Sequence, residues 1–415
     1  MKKLIIIISI TLFAQYISAQ SLIDIYQKGT VKLVPDKEYA QNNDWNNIFE
    51  TYNDPTYGNR KSIIILPNES LVVSHENSNF YTLFDSKGKF VKEFGVVNSS
   101  GNRLKNVNPI KGIINNNFYT GLDLTGKMLC FDFEGKYIKT LTLDYMTRDM
   151  IPLSNNKFAV VGWVIWATKF RDFVAIVDYN TNEQKIIWEH FTDRTNTPPP
   201  FTTINTPPPP PIASSTIAMP LFDRPQIAFA KNRLIVTLPH SGEILIYDVN
   251  GKLISKENTN WERSYISVEE QKEIQKKAIE EFKSREMPFH RRQMPQEIQE
   301  EIKNMYKATL IKMEENLAKI SEPKPNPMFA TIIKDSDDNV LFFEVPEKEG
   351  SNKFNVWIYN NGGKFVGQSS FECDEYNLSI TPSKMVFHNG YIYSLQTLKN
   401  ADGNPLRLVR FKLAN

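Results

Sequence analysis

Few residues in this chain could do chemistry. There are five histidines, His75, His190, His240, His290 and His388, and two cysteines, Cys130 and Cys373. No phosphate loop, dinucleotide fingerprint, Gly-x-Ser-x-Gly elbow or His-Glu-x-x-His helix is present. His75 and His240 each follow the second apolar run of a repeat, "SLVVSHE" and "RLIVTLPH". Two imidazoles on one mouth, with a carboxylate such as Glu76, have the donor types of a divalent-metal site. A lone polar loop residue is more often simply hydrated, and no third histidine falls on that face, so neither a metal nor a cofactor is expected. Arg60, Arg148, Arg224 and Lys384 form a second set, each just before or at the first strand of a repeat. Arginine holds carboxylate or phosphate in a bidentate fork, which suits an anionic ligand such as a uronate-containing sugar. The plainer expectation is pairing with adjacent carboxylates, Asp149 or Asp223, at little energetic consequence.

A third candidate is repeated. "LFDSKGKFVKEFG" from Leu83 returns as "CFDFEGKYIKTLT" from Cys130 and as "IYDVNGKLISKEN" from Ile246. A calcium loop needs several oxygen ligands at alternate positions and a closing glutamate. Here one Asp is followed by Ser, Phe or Val and then by Lys, Glu or Asn, which share no ligand chemistry. Gly supplies the positive φ of a tight hairpin, and Asp hydrogen-bonds turn backbone. The motif is therefore expected to be a hairpin between two strands.

Around each hairpin lies the same series of apolar runs, rich in Ile, Val, Phe and Tyr and bounded by Asn, Gly, Asp and Pro. The first repeat reads "KSIIILP", "SLVVSHE", "NFYTLFD", "KFVKEFG". First strands begin near residues 61, 109, 149, 225, 329 and 384. Three of the intervals match the roughly 40–50 residues of a four-stranded blade, and two are longer. An all-β, six-bladed β-propeller is expected. Its sixth repeat ends after three strands, so "TVKLVP", Thr30 to Pro35, is expected to supply the outer strand and remove an open edge.

The "FDSKGKFVKEFG" hairpins and the "IIKDSDDNVLFFEV" inner-strand opening resemble those of secreted six-bladed propellers of the NHL/TolB-like superfamily in Bacteroidota. The resemblance spans residues 30–415 apart from two insertions. It implies an architecture and no particular activity.

The first insertion, residues 192–222, contains Pro198–Pro200 and Pro207–Pro211. Such runs are extended and lack backbone donors. They serve as a stiff linker or as a docking strip for an aromatic groove. The second, residues 262–327, opens with Ser267 and Glu270 spaced as a capping box. Ile274, Ala278 and Phe282 recur at helical spacing. A second helix from about Gln296 carries Ile298, Ile302, Met305, Leu310, Met313 and Leu317 on one stripe. That stripe is expected to pack on the other helix or on the propeller, the other reading being an exposed stripe that grips a partner. Both insertions join a fourth strand to the next first strand. Both should therefore crowd the face where His240 and the basic residues lie.

Residues 1–19 have the basic start, short apolar run and small residues of a cleaved secretory signal. No Cys follows the run, so no lipoprotein is expected, and no later stretch is apolar enough to span a membrane. Removing Lys2 and Lys3 leaves 47 basic against 47 acidic residues. That balance gives no support to nucleic-acid or anionic-membrane binding. Two cysteines in so long a chain are not a disulfide framework, and they are expected to be buried thiols. The expected function is a ligand- or protein-binding module at the cell envelope. It would be monomeric, periplasmic or surface-exposed, with a protein or glycan partner. The other reading is a lyase or hydrolase acting on a sugar or lactone at the channel mouth.

Overall fold

The computed structural model describes residues 21–49, 61–75, 80–96, 110–121, 126–154, 156–165, 169–193, 224–284, 296–345, 352–378, 385–399 and 406–415. The leader, the prolines from 194 to 223, Arg60, Lys384 and His290 lie outside them.

The described chain is mostly β. After a short helix α1 (Leu22–Tyr26), strand β1 (Thr30–Pro35) and a second short helix α2 (Trp45–Phe49), it runs through antiparallel meanders. The first is β2 (Lys61–Ile65), β3 (Leu71–His75), β4 (Tyr81–Phe84) and β5 (Phe90–Phe94). The second is β6 (Ile110–Ile114), β7 (Asn117–Gly121), β8 (Lys127–Phe131) and β9 (Tyr137–Thr142). The third has longer strands: β10 (Met146–Ser154), β11 (Lys157–Ile165), β12 (Lys169–Asp178) and β13 (Gln184–Asp193). The fourth is β14 (Gln226–Ala230), β15 (Arg233–Leu238), β16 (Glu243–Asp248) and β17 (Leu253–Asn258). A four-stranded antiparallel meander is the unit from which propellers are built.

Next comes a two-stranded ribbon, β18 (Tyr265–Ile266) with β19 (Lys324–Pro325), which encloses helices α3 (Val268–Ser284) and α4 (Gln296–Lys319). Ser267 caps α3, its Oγ accepting from the Glu270 N–H at 3.1 Å, as the capping-box spacing requires. The helices pack on each other through Ala278, Ile279, Phe282 and Met313, with Tyr306, Leu310 and Leu317 beside them. Gln275 reaches across to the Met313 carbonyl. The seam runs through Gln275 and Ile279, while Ile274, expected inward, is exposed.

The remaining strands are β20 (Thr331–Lys334), β21 (Val340–Phe343), β22 (Lys353–Tyr359), β23 (Phe365–Glu372), β24 (Tyr376–Asn377), β25 (Met385–His388), β26 (Tyr391–Leu398) and β27 (Leu406–Ala414). Here β1 pairs antiparallel with β27 and, on its other edge, parallel with β23. The spare N-terminal strand thus lies between two sets of strands and joins them in one nine-stranded sheet. Upstream, Tyr26 donates to the buried Asp335 at 3.0 Å, and the Leu22 N–H donates to Asp337 at 3.1 Å. Burial raises the pKa of Asp335, and burial of Tyr26 beside that carboxyl raises its own.

The chain forms two compact units. One holds residues up to Val73, Thr82–Lys92 and Ile333–Asn415; the other holds Ser74–Tyr81 and Glu93–Ile332. In the first, Ile63, Leu71, Val73 and Phe84 form a core with Tyr39, Phe49, Tyr393 and Leu395. In the second, the β10–β13 sheet is buried on both faces. Phe158, Val160, Phe173 and Ala175 meet Tyr119 and Met128 of the preceding sheet. Val161, Val174 and Ile176 meet Ile227, Leu234 and Val236 of the following one.

The repeated Asp is structural. Asp85, Asp132 and Asp248 each accept two turn N–H groups on Oδ1, from Lys87 and Lys89, Glu134 and Lys136, and Asn250 and Lys252. Backbone hydrogen bonds hold Asp248 below its ordinary pKa. Gly88, Gly135 and Gly251 take φ of 77°, 85° and 72°. A Cβ on Gly135 would lie 2.3 Å from the Gly95 carbonyl oxygen, at the end of the preceding sheet. One on Gly251 would lie 2.5 Å from Ile187 in β13. These two hairpins are thus pressed on the sheet before them, while Gly88 meets Tyr39 and Ala40 of the N-terminal segment, each at a spacing that favours glycine.

Gly135→Ala combines a positive φ with a clash against backbone. We expect a loss of about 2–4 kcal/mol in urea unfolding. Gly390 has φ of 77° with open space around it, so Gly390→Ala should lose only about 1 kcal/mol. Equal losses would show that the seam contact contributes nothing.

Candidate functional site

The longer strands of β10–β13 extend past the neighbouring apolar core and carry polar residues at their ends. In the ladder Trp163 faces Asp172, and Asp172 faces His190. Side chains alternate along a strand, so these three share the face of Val161, Val174 and Trp188, which turns toward β14–β17. On the other face Arg171 pairs with Glu189 and lies over Phe173 and Phe191.

Arg148 joins the row through a bulge. The ladder steps from Thr147–Gly162 to Asp149–Val161 and leaves Arg148 as the extra residue, which re-aims its side chain. Its Nε lies 3.7 Å from Asp172 Oδ1 and its guanidinium lies 4.9 Å over the Trp163 ring. Its carbonyl accepts from Lys111 Nζ at 3.1 Å. Asp149, the neighbour expected to pair with Arg148, instead caps the Met150 N–H. Burial pushes its pKa up against the pull of Lys111.

The row continues onto the next sheet. His240, in the β15–β16 turn, has its ring 5.7 Å from that of His190, which stacks on Trp188. Arg263 donates to the His240 carbonyl. The same turn roots the helical hairpin: the Met328 N–H donates to the Pro239 carbonyl, and Trp261 Nε1 donates to the Met328 carbonyl. Arg224, two residues before β14, lies at this end of the sheet, its pKa lowered by burial to about 10.

Asp172 is the unusual member. Its side chain is 13% exposed, and among the described residues its Oδ1 meets no hydrogen-bond donor. Burial raises its pKa to about 6, against a downward pull from His190. Burial thus makes the protonated form easier to reach in the fold than in the unfolded chain. A carboxyl with a pKa of about 6 beside His190 and Arg148 can accept from a ligand hydroxyl, release an arginine to a ligand anion, or exchange a proton near neutrality.

Arg148 and His240 of the sequence candidates therefore stand in one connected group. Asp172 and His190, which complete it, were not assigned a role from the sequence. Their signal was the alternation of charge within "KFRDF" and "IIWEHF" at the ends of unusually long strands. His75 is the last residue of β3. Glu76 and Asp223 lie outside the described residues, as do Arg60 and Lys384. No group of three His, Cys, Asp or Glu side chains is placed to hold a metal among the described residues. Cys130 and Cys373 are buried free thiols, their pKa values raised by burial. No helix among the described residues is long and apolar enough to cross a membrane.

No family model matches the chain, and no curated protein does. Solved structures do. A member of the DUF4221 family from Bacteroides vulgatus aligns over 94% of this chain and 100% of its own, at 13% identity and a TM-score of 0.49. A putative exported protein from Bacteroides fragilis aligns over 86% and 90%, at 10% identity and 0.44. Virginiamycin B lyase from Staphylococcus aureus aligns over 84% and 83%, at 11% and 0.37. These are likenesses of chain course and assign no activity.

The folded pKa of Asp172 is above its unfolded value, so the stability it contributes is present below about pH 4 and is lost as pH rises through about 6. Asp172→Asn keeps the shape and removes the titration. At pH 7 we expect the variant to be more stable by about 1–2 kcal/mol, with the gap closing toward pH 4. Parallel denaturation midpoints across that range would contradict the burial account.

Proposed function

We propose that the chain is an exported six-bladed β-propeller of the NHL/TolB-like kind, acting as a ligand- or protein-binding module at the cell envelope. Residues 1–19 are its leader, residues 30–415 its propeller, and residues 192–222 and 262–327 its two insertions. The four-stranded meanders, and β1 beside β27, support the six-bladed reading. The ligand seat is the mouth formed by the loops around the third and fourth blades. Arg60, Arg224, Lys384 and His75 are proposed as further ligand-binding residues.

The observation that carries this reading is the line Arg148–Asp172–His190–His240. It places charge, imidazole and indole together, partly exposed, across a seam between two sheets whose core is apolar. The Asp172 carboxyl favours a second reading, a lyase or hydrolase with that group as acid or base, since catalytic groups work best near the ambient pH.

The test is an array of envelope glycans and peptides probed with the mature protein and with Arg148→Ala/His240→Ala. Ligands kept by the native protein and lost by the folded variant, without turnover, are expected. A pair that binds identically would remove this site from the function, and turnover would replace the binder with the enzyme.

A further inference from the structure

Basic side chains gather at this mouth. Arg148, Arg263 and Arg224 lie at the same ends of the two sheets, with His190 and His240 between them, and Lys111 of β6 reaches the Arg148 carbonyl. Among the described residues Asp149 and Asp172 lie beside Arg148, and burial disfavours the ionised form of both. Low-polarity walls focus the field of the basic groups toward an arriving anion. Flat rings lie in the same patch, with Trp163 beneath Arg148 and Trp188 beneath His190. An indole face suits the apolar face of a ring, and an arginine fork suits a planar carboxylate. A buried acceptor such as Asp172 suits a hydroxyl.

Resting on the proposed binding seat, we propose that its ligand is an acidic sugar, a uronate, with the uronate carboxylate on Arg148, the sugar ring against the indole and imidazole faces, and a ring hydroxyl on Asp172. The uronate carboxylate takes over the Arg148 contact that Asp172 makes in the free protein. Two carboxylates then share one guanidinium, and like charges at close range favour protonation of one of them. Asp172, buried, takes the proton. The groups facing it are Arg148 from β10 and His190 from β13, with His240 of the β15–β16 turn next to His190 and Arg263 on the His240 carbonyl. Arg171 and Glu189 pair on the opposite face. Binding should therefore tighten as pH falls from 7.5 to 5.5, where the sugar acid itself stays ionised.

The experiment is titration calorimetry of the mature protein with tri-galacturonate, neutral tri-galactose and tri-glutamate, at pH 5.5 and 7.5. We expect tri-galacturonate to bind about tenfold or more tighter at pH 5.5. Tri-galactose and tri-glutamate should bind at least about tenfold more weakly. Arg148→Lys, which keeps the charge and loses the fork, should weaken binding about tenfold. Trp163→Phe provides a second variant if Arg148 variants fail to fold, and should weaken the sugar and leave tri-glutamate unchanged. Equal binding of the neutral sugar overturns the anionic part, and equal or tighter tri-glutamate overturns the sugar part. If tri-galacturonate fails to bind while the array yields ligands that the Arg148→Ala/His240→Ala variant loses, the uronate inference is wrong and the seat stands. If the array also yields none, both fall.

Discussion

The structure depends on how closely one hairpin can approach the sheet before it. At Gly135 the turn backbone meets the Gly95 carbonyl with no space for a methyl group, and at Gly251 it meets Ile187. The preceding Asp gathers turn N–H groups on one oxygen, so the polar backbone of the turn is satisfied without water. With the turn fixed, side chains such as Tyr119, Phe173 and Leu234 interdigitate across the seam at core density. The motif is degenerate where the seam is made differently. Asp178 accepts from Asn180 and Thr181, and Asn182, at φ 65°, reaches the Thr142 carbonyl instead.

The same constraint builds the candidate site. Because the β10–β13 sheet is held between two neighbours, its face toward β14–β17 is apolar through Val161, Val174 and Trp188. Its extra length then carries Trp163, Asp172 and His190 beyond that core but still against the next sheet. The carboxyl is consequently half-desolvated, which separates Asp172 from an ordinary surface aspartate. The helical hairpin enters at the same turn as His240. Its helices meet through Ala278, Ile279, Phe282 and Met313, and its root brings it to the site.

Much of this was legible in the sequence where a local rule decides the geometry. The "FDSKGKF" hairpins follow from Gly conformational freedom and Asp hydrogen bonding, and the start of α3 follows from Ser267. Arg148 was legible as a basic residue at a strand entrance. Its partner was not, because the partner is set by a bulge at Arg148 itself and by an antiparallel register two strands away. Asp149 is adjacent in sequence but points at its own backbone. Likewise "TVKLVP" read as a spare strand, yet its parallel pairing with β23 depends on a second free edge that no residue of β1 encodes. In α3 the choice of Ile279 over Ile274 reflects the facing surface of α4, which periodicity alone cannot orient.

The claim that joins seam, burial and site is that Asp172 is held half-desolvated between two sheets beside Arg148 and His190. Its carboxyl carbon can be titrated directly by NMR in the mature protein. A midpoint about 6, falling toward the ordinary aspartate range when His240 is replaced by a small residue that lets water in, is the expected result. A midpoint near 4, unchanged by that replacement, would contradict it.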